Sequence, residues 1–229
     1  MVSATSDLLP LADGCLVLSH RLGEWMTNAP TMEEDIALGN IALDLLGQAR
    51  GLLQVIADET GTTEDELAYF REPHEFRNPL ICELSNGDFG HTMLRQLFVD
   101  AWLADVWPTL AADERVDTQV RGVAEKAVKE NAYHLRHSSS WAIRLGDGTD
   151  ESRARMVAAL DALWPYRGEI ASESWYARIE PVLAEATLPL PPRDGWTQRS
   201  SAEGRHTEHL GYLLAEMQSL ARAHPGATW

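Results

Sequence analysis

The chain has 229 residues, with 35 acidic against 19 basic side chains and a net charge of −16. A hydrophobic share of 45% beside 24% charged residues is globular, which excludes wholesale disorder and leaves one large domain or two small ones. The carboxylate surplus repels phosphates, which argues against nucleic acid and against an anionic membrane surface, and suits a partner with a basic face.

Cys15 and Cys82 both sit in apolar surroundings, too few for a disulfide framework, and read as small hydrophobes in a reducing compartment. The first basic side chain is Arg21, so the start lacks the charged region of a signal peptide. No apolar run approaches the ~18 residues of a membrane helix. A cytoplasmic protein is expected.

The elements read as helices from end to end. Leu11, Cys15, Leu18, Leu22 and Trp25 recur as one helical stripe, with Pro10 in the first turn and Asn28-Ala29-Pro30 as the stop. Thr31 and Glu34 open a capping box for a helix over Met32 to Thr60, closed by Gly61 in the left-handed conformation. Thr63 and Glu66 start a short helix that ends before Pro73, and Glu72 to Gly87 reads as an irregular connection. A long helix follows Asn86-Gly87-Asp88 to about Ala111, with Pro108 kinking its end. Another runs from near Asp117 to Leu145-Gly146. Thr149 caps the next, broken at Trp164-Pro165; then come Ser174 to Ala186 and a last helix bearing Leu210, Leu213, Met217 and Leu220. The Pro-rich stretch Pro189 to Arg205 reads as mobile or ordered by a partner. No run alternates with period two, and no linker divides the chain, so a single all-α domain over 1–229 is expected, built on long antiparallel helices.

In such a bundle the informative residues are polar ones within apolar stripes. Asp44 lies in Ile41-Ala-Leu-Asp-Leu-Leu46, where an unpaired carboxylate costs several kcal/mol or takes up a proton. Glu130 and His134 fall on adjoining turns near the middle of their helix, and His206 and His209 fall on the face leading to Leu213 and Met217. Carboxylates and imidazoles inside a bundle suggest a di-iron site, which takes a Glu from each of two helices and Glu-x-x-His from each of the other two. Only fragments of that pattern occur. Asp88-Phe-Gly-His91 has the spacing with the shorter carboxylate; Glu130 meets its histidine one position late; Glu203-Gly-Arg-His206 contains a glycine in its first turn.

Each fragment has a plainer reading. Asp88 stands where a helix N-cap belongs, Glu130 with His134 is a common surface pair, and Glu203 falls in a loop. No metal site is therefore expected, and Asp44, Glu130 and His134 read better as a metal-free buried polar network. There is no phosphate loop, nucleophile elbow or Cys-x-x-Cys, and the eight tryptophans read as packing or subunit interface.

Several blocks carry a resemblance. Ala37-Leu-Gly-Asn-Ile-Ala-Leu-Asp-Leu-Leu-Gly-Gln-Ala-Arg50, Glu75-Phe-Arg-Asn78, Asn86-Gly-Asp-Phe89, Arg95-Gln96 and Asp100-Ala-Trp102 resemble the family of structural C subunits of the bacterial 1,2-phenylacetyl-CoA epoxidase. So do Tyr133-His-Leu-Arg-His-Ser138, Arg144-Leu-Gly-Asp-Gly-Thr149, His206-Thr-Glu-His-Leu-Gly211, and Leu214-Ala-Glu-Met-Gln218 through Pro225-Gly226 to Trp229.

The resemblance implies a ferritin-like helical fold. It also implies a non-catalytic structural subunit that supports and orients a homologous catalytic partner, the A component, which holds the di-iron centre. That complex epoxidises the aromatic ring of phenylacetyl-CoA with oxygen and with electrons from a reductase. It implies no cofactor in this chain and a degenerate metal site, for which the spacing read above offers Asp44, Asp88, His91, Glu130, His134, His206 and His209 as candidates. The expected partners are the catalytic di-iron A component and the other epoxidase subunits, with a homodimer in isolation. The alternative is a di-iron oxygenase or iron-binding ferritin-like protein in its own right.

Overall fold

The computed structural model describes residues 4–227, with side chains from residue 8 onward. Thr228 and Trp229, which entered the resemblance above, lie outside the described residues. Every regular element among the described residues is a helix: α1 (Ala4–Gly23), α2 (Met32–Thr60), α3 (Glu64–Tyr69), α4 (Leu80–Glu83), α5 (Phe89–Ala112), α6 (Thr118–Gly146), α7 (Asp150–Leu163), α8 (Glu173–Glu185), α9 (Glu208–Met217) and α10 (Ser219–Ala223). Short 3-10 turns lie at Pro73–Glu75, Trp164–Glu169 and Ser201–Glu203. None of these helices is long and apolar enough to cross a membrane.

The caps act where their residue types belong. The Thr31 hydroxyl accepts the Glu34 amide, and Gly61 at φ 72 closes α2 with its N–H on the Ala57 carbonyl. Thr63 with Glu66, and Thr149 with Ser152, form reciprocal capping boxes. Three expectations need correction. Pro10 lies inside α1 rather than in its first turn, and the hydrogen bond it forfeits is borne by a helix buried at every position from Leu11 to Ser19. That burial also means α1 is enclosed all round, where a single apolar stripe was expected. Glu72 to Gly87 is not wholly irregular, because Leu80–Glu83 makes one fully buried helical turn.

The chain divides into two compact units. One comprises Met1–Ser85, Arg115–Val123 and Ser200–Trp229; the other comprises Asn86–Glu114 and Ala124–Arg199. In the first, α1 and α2 form the principal pair, with α4 and α9 packed on α1 and α3 on α2. Its core is Leu16, Leu18, Leu22, Leu38, Ile41, Leu45 and Phe76.

In the second, α7 and α8 pack on α5, which is buried at every position from Thr92 to Ala101. Phe98, Trp164 and Trp175 make its aromatic centre; the Phe98 and Trp175 rings meet edge to face at 5.1 Å, and the Trp175 indole donates to the Phe98 carbonyl at 2.8 Å. Trp107 is fully buried and so belongs to the core. The Pro-rich stretch is fastened up to residue 198: Trp164 Nε1 donates to the Pro192 carbonyl at 3.1 Å, and Gln198 N to the Pro165 carbonyl at 2.8 Å.

Candidate functional site

Among the described residues three fully enclosed carboxylates gather polar partners, two in the first unit and one in the second. Asp13, in α1, is fully enclosed. Both Arg71 nitrogens of the guanidinium fork close on its carboxylate, and the Arg77 amide donates to it at 2.8 Å. Burial pushes the Asp13 carboxyl above the usual range against the Arg71 pair.

The second centre is Glu83, at the end of α4 and fully buried. Its carboxylate accepts from Asn78 Nδ2 at 2.8 Å and from the Thr207 amide at 2.6 Å, and His206 Nδ1 lies 2.7 Å away. His206 Nε2 is 2.9 Å from the Phe76 carbonyl. Arg21 donates to the Glu83 carbonyl at 2.7 Å and to the His209 carbonyl at 3.1 Å, joining α1 to the start of α9. Burial pulls the His206 imidazole down, but the Glu83 hydrogen bond and charge, the Phe76 carbonyl and the Asp13 charge together carry it above its ordinary value.

Asp100 is the third centre. Gln96 Nε2 and Ser138 Oγ each donate to its carboxylate at 2.7 Å, and Asn131 Nδ2 donates to its carbonyl at 3.0 Å. Burial pushes its carboxyl up to about 6, against the opposing His134 charge and these hydrogen bonds.

The expected site residues fall differently. Asp44 is half-buried on α2 rather than enclosed, since the outer side of that helix surfaces at neighbouring Leu43, 60% exposed. Asp88 is the N-cap of α5, accepting the His91 amide at 2.8 Å. His91 Nδ1 faces the Asn86 carbonyl at 3.1 Å, and burial and the Arg95 charge hold its imidazole low. Glu130 pairs with Lys126 at 2.8 Å along one face of α6. His134 is fully buried beside Asp100, so the network that forms on α6 centres on Asp100 and not on Glu130.

His206 and His209 do not share a helix face. Gly204 turns the chain at φ 70, α9 begins only at Glu208, and His206 precedes it outside any helix. Glu203 lies in a 3-10 turn. Among the described residues no three His, Cys, Asp or Glu side chains converge as a metal donor set. An open cleft of about 830 Å3 lies in the first unit, floored by Tyr69, Phe70, Met217 and Leu220; none of the candidate residues lines it.

Sequence reasoning passed over Asp13 and Glu83, and took Asp100 only as part of a resembling block. The signal for Asp100 was a Gln one helical turn earlier, with the apolar Leu97-Phe98-Val99 between them. Asp13 and Glu83 have partners too far along the chain for spacing to reveal.

The family described as phenylacetic acid catabolic protein matches this chain over residues 3–174 and 169–229. The C subunit of 1,2-phenylacetyl-CoA epoxidase from Escherichia coli (strain K12) is 42% identical over 251 residues, covering 100% of each chain. With helices as its regular elements and a match along nearly its whole length, the chain belongs to the phenylacetic acid catabolic protein family, whose fold is ferritin-like.

Proposed function

We propose that this chain is a non-catalytic structural subunit of a multicomponent di-iron oxygenase that epoxidises the aromatic ring of phenylacetyl-CoA. It supports and orients a homologous catalytic subunit, which holds the iron, while a reductase supplies electrons. The end-to-end identity with the C subunit of an epoxidase carries this reading. The side chains lend support, because those with ligand chemistry already have structural duties: Asp88 caps a helix, Glu130 pairs with Lys126, and both His206 nitrogens are engaged. We place the protein in the cytoplasm, where the coenzyme A thioester is found.

Reconstitution tests the proposal. The catalytic subunit should lose solubility or turnover of phenylacetyl-CoA without this chain and regain them when it is added with reductase and oxygen. Purified alone, the chain should hold far less than one iron or manganese per polypeptide. Equal turnover by the catalytic subunit on its own overturns the structural role; near-stoichiometric metal in this chain favours a di-iron protein in its own right.

A further inference from the structure

The exposed side of α6 departs from the charge balance of the rest of the molecule. From residue 131 to residue 146 the helix has no carboxylate, although acidic side chains outnumber basic ones 35 to 19 in the whole chain. Lys129, Tyr133, Arg136, Ser140 and Arg144 recur at four- and three-residue steps and share one face, extending about 22 Å at 1.5 Å per residue.

Arg50, Arg155, Arg178, Arg193, Arg205 and Arg222 each pair with a carboxylate. Exposed Lys129, Arg136 and Arg144 have no ion pair among the described residues. The two arginines instead lie on aromatic rings of their own helix. Arg136 is 5.5 Å from the Tyr133 ring centre and Arg144 is 5.5 Å from that of Trp141. Tyr133 in turn stacks on His137, and Trp141 meets Phe89 edge to face at 5.0 Å.

These contacts matter for binding. A guanidinium laid on a ring keeps its hydrogen-bond donors free while its side chain is already partly ordered, so less freedom is lost when a carboxylate arrives. Arginine and aromatic residues are also the types that anchor protein interfaces.

Resting on the subunit reading above, we infer that this face of α6 docks an acidic surface of another subunit of the same complex. The occupant follows from local charge: on a helix face without carboxylates from residue 131 to 146, carboxylates are the complement of Lys129, Arg136 and Arg144, whatever the charge of the molecule as a whole.

The test measures binding of the purified chain to each of the other subunits in turn, at low and at physiological salt. Arg136→Glu/Arg144→Glu should weaken binding to one of them about tenfold or more and flatten its salt dependence, with the melting temperature of the chain unchanged. Lys129→Glu, on an exposed side chain of the same face, should act in the same direction and stands in should the double variant fold poorly. Arg136→Lys/Arg144→Lys should retain most of the affinity. Binding that is unaltered in both reversal variants overturns the inference while leaving the subunit reading intact. Failure of the unsubstituted chain to bind any of them overturns both. Loss of coenzyme A binding by the free chain, with subunit binding preserved, would reassign the face to a small anion and overturn it.

Discussion

His206 stands between two acceptors: its Nδ1 lies 2.7 Å from Glu83 Oε2, and its Nε2 lies 2.9 Å from the Phe76 carbonyl oxygen. A neutral imidazole has one N–H and satisfies only one of them; the imidazolium satisfies both. The side chain is 4% exposed, and when the ring is protonated its charge faces the buried Glu83 carboxylate. Because the folded imidazole titrates above its ordinary 6.5, its stabilising effect is complete below that value and is lost as pH rises through the folded pKa. Nitrogen-15 NMR of the ring should place the midpoint of its titration above 6.5, with both nitrogens protonated on the acid side. Thermal unfolding should show stability falling on the alkaline side, and His206→Gln should remove that fall.

Removal of Glu83 and removal of Asp44 should differ severalfold in their effect on stability. Glu83→Ala strips the acceptor from Asn78, the Thr207 amide and His206 at once, and should destabilise the chain by about 3–5 kcal/mol. Asp44→Ala, at a half-buried position on α2, should stay within about 1 kcal/mol. Urea unfolding of the two variants beside the unsubstituted chain checks both.

Asp100 supplies a second pH dependence with its own window. Its carboxyl, raised from 3.8 to about 6, keeps a proton in the folded chain that the unfolded chain has released. Stability therefore falls as pH rises between those values. Asp100→Asn preserves the hydrogen bond from Gln96 and lets Ser138 turn to accept. It should flatten the slope and add roughly 2–3 kcal/mol at neutral pH, as read by melting temperature across pH 4 to 8.

Gly204 adopts φ 70, and a Cβ there would run into the His74 carbonyl. Gly204→Ala should destabilise by about 2 kcal/mol or more, through left-handed strain and that contact together. Because the turn delivers His206 to Glu83, the same variant should also disturb the His206 ring signals.

Local chemistry was legible wherever cause and effect lie within one helical turn. Met32–Thr60 has both ends at the residues expected, since Thr31 and Gly61 are caps that act on their immediate neighbours. The long helices at Phe89 and Thr118 were anticipated to within about two residues for the same reason.

Two of the three charged centres were not legible, because their partners are distant. Asp13 meets Arg71 across 58 positions and Glu83 meets His206 across 123, and no spacing rule reaches that far. Asp44 misled through its neighbours: an apolar run suggests depth, yet a helix turns part of any six-residue run outward. His206 and His209 have the spacing of one helix face, but the chain becomes helical only after Thr207.

Arg167 holds the segment from Pro192 to Gly195 in an unusual way. Its fully buried guanidinium donates to the Trp164, Arg193 and Gly195 carbonyls at 2.7, 2.8 and 3.3 Å, and to the Tyr176 hydroxyl at 3.1 Å. Within the segment that grip is on main chain, so it asks nothing of the side chain at position 194, while Arg193 is also held through its own guanidinium by Glu173 and Glu180. Position 194, whose side chain is exposed, is thereby a natural address for a spectroscopic label: its surroundings are fixed by an arginine that takes no notice of what is attached there.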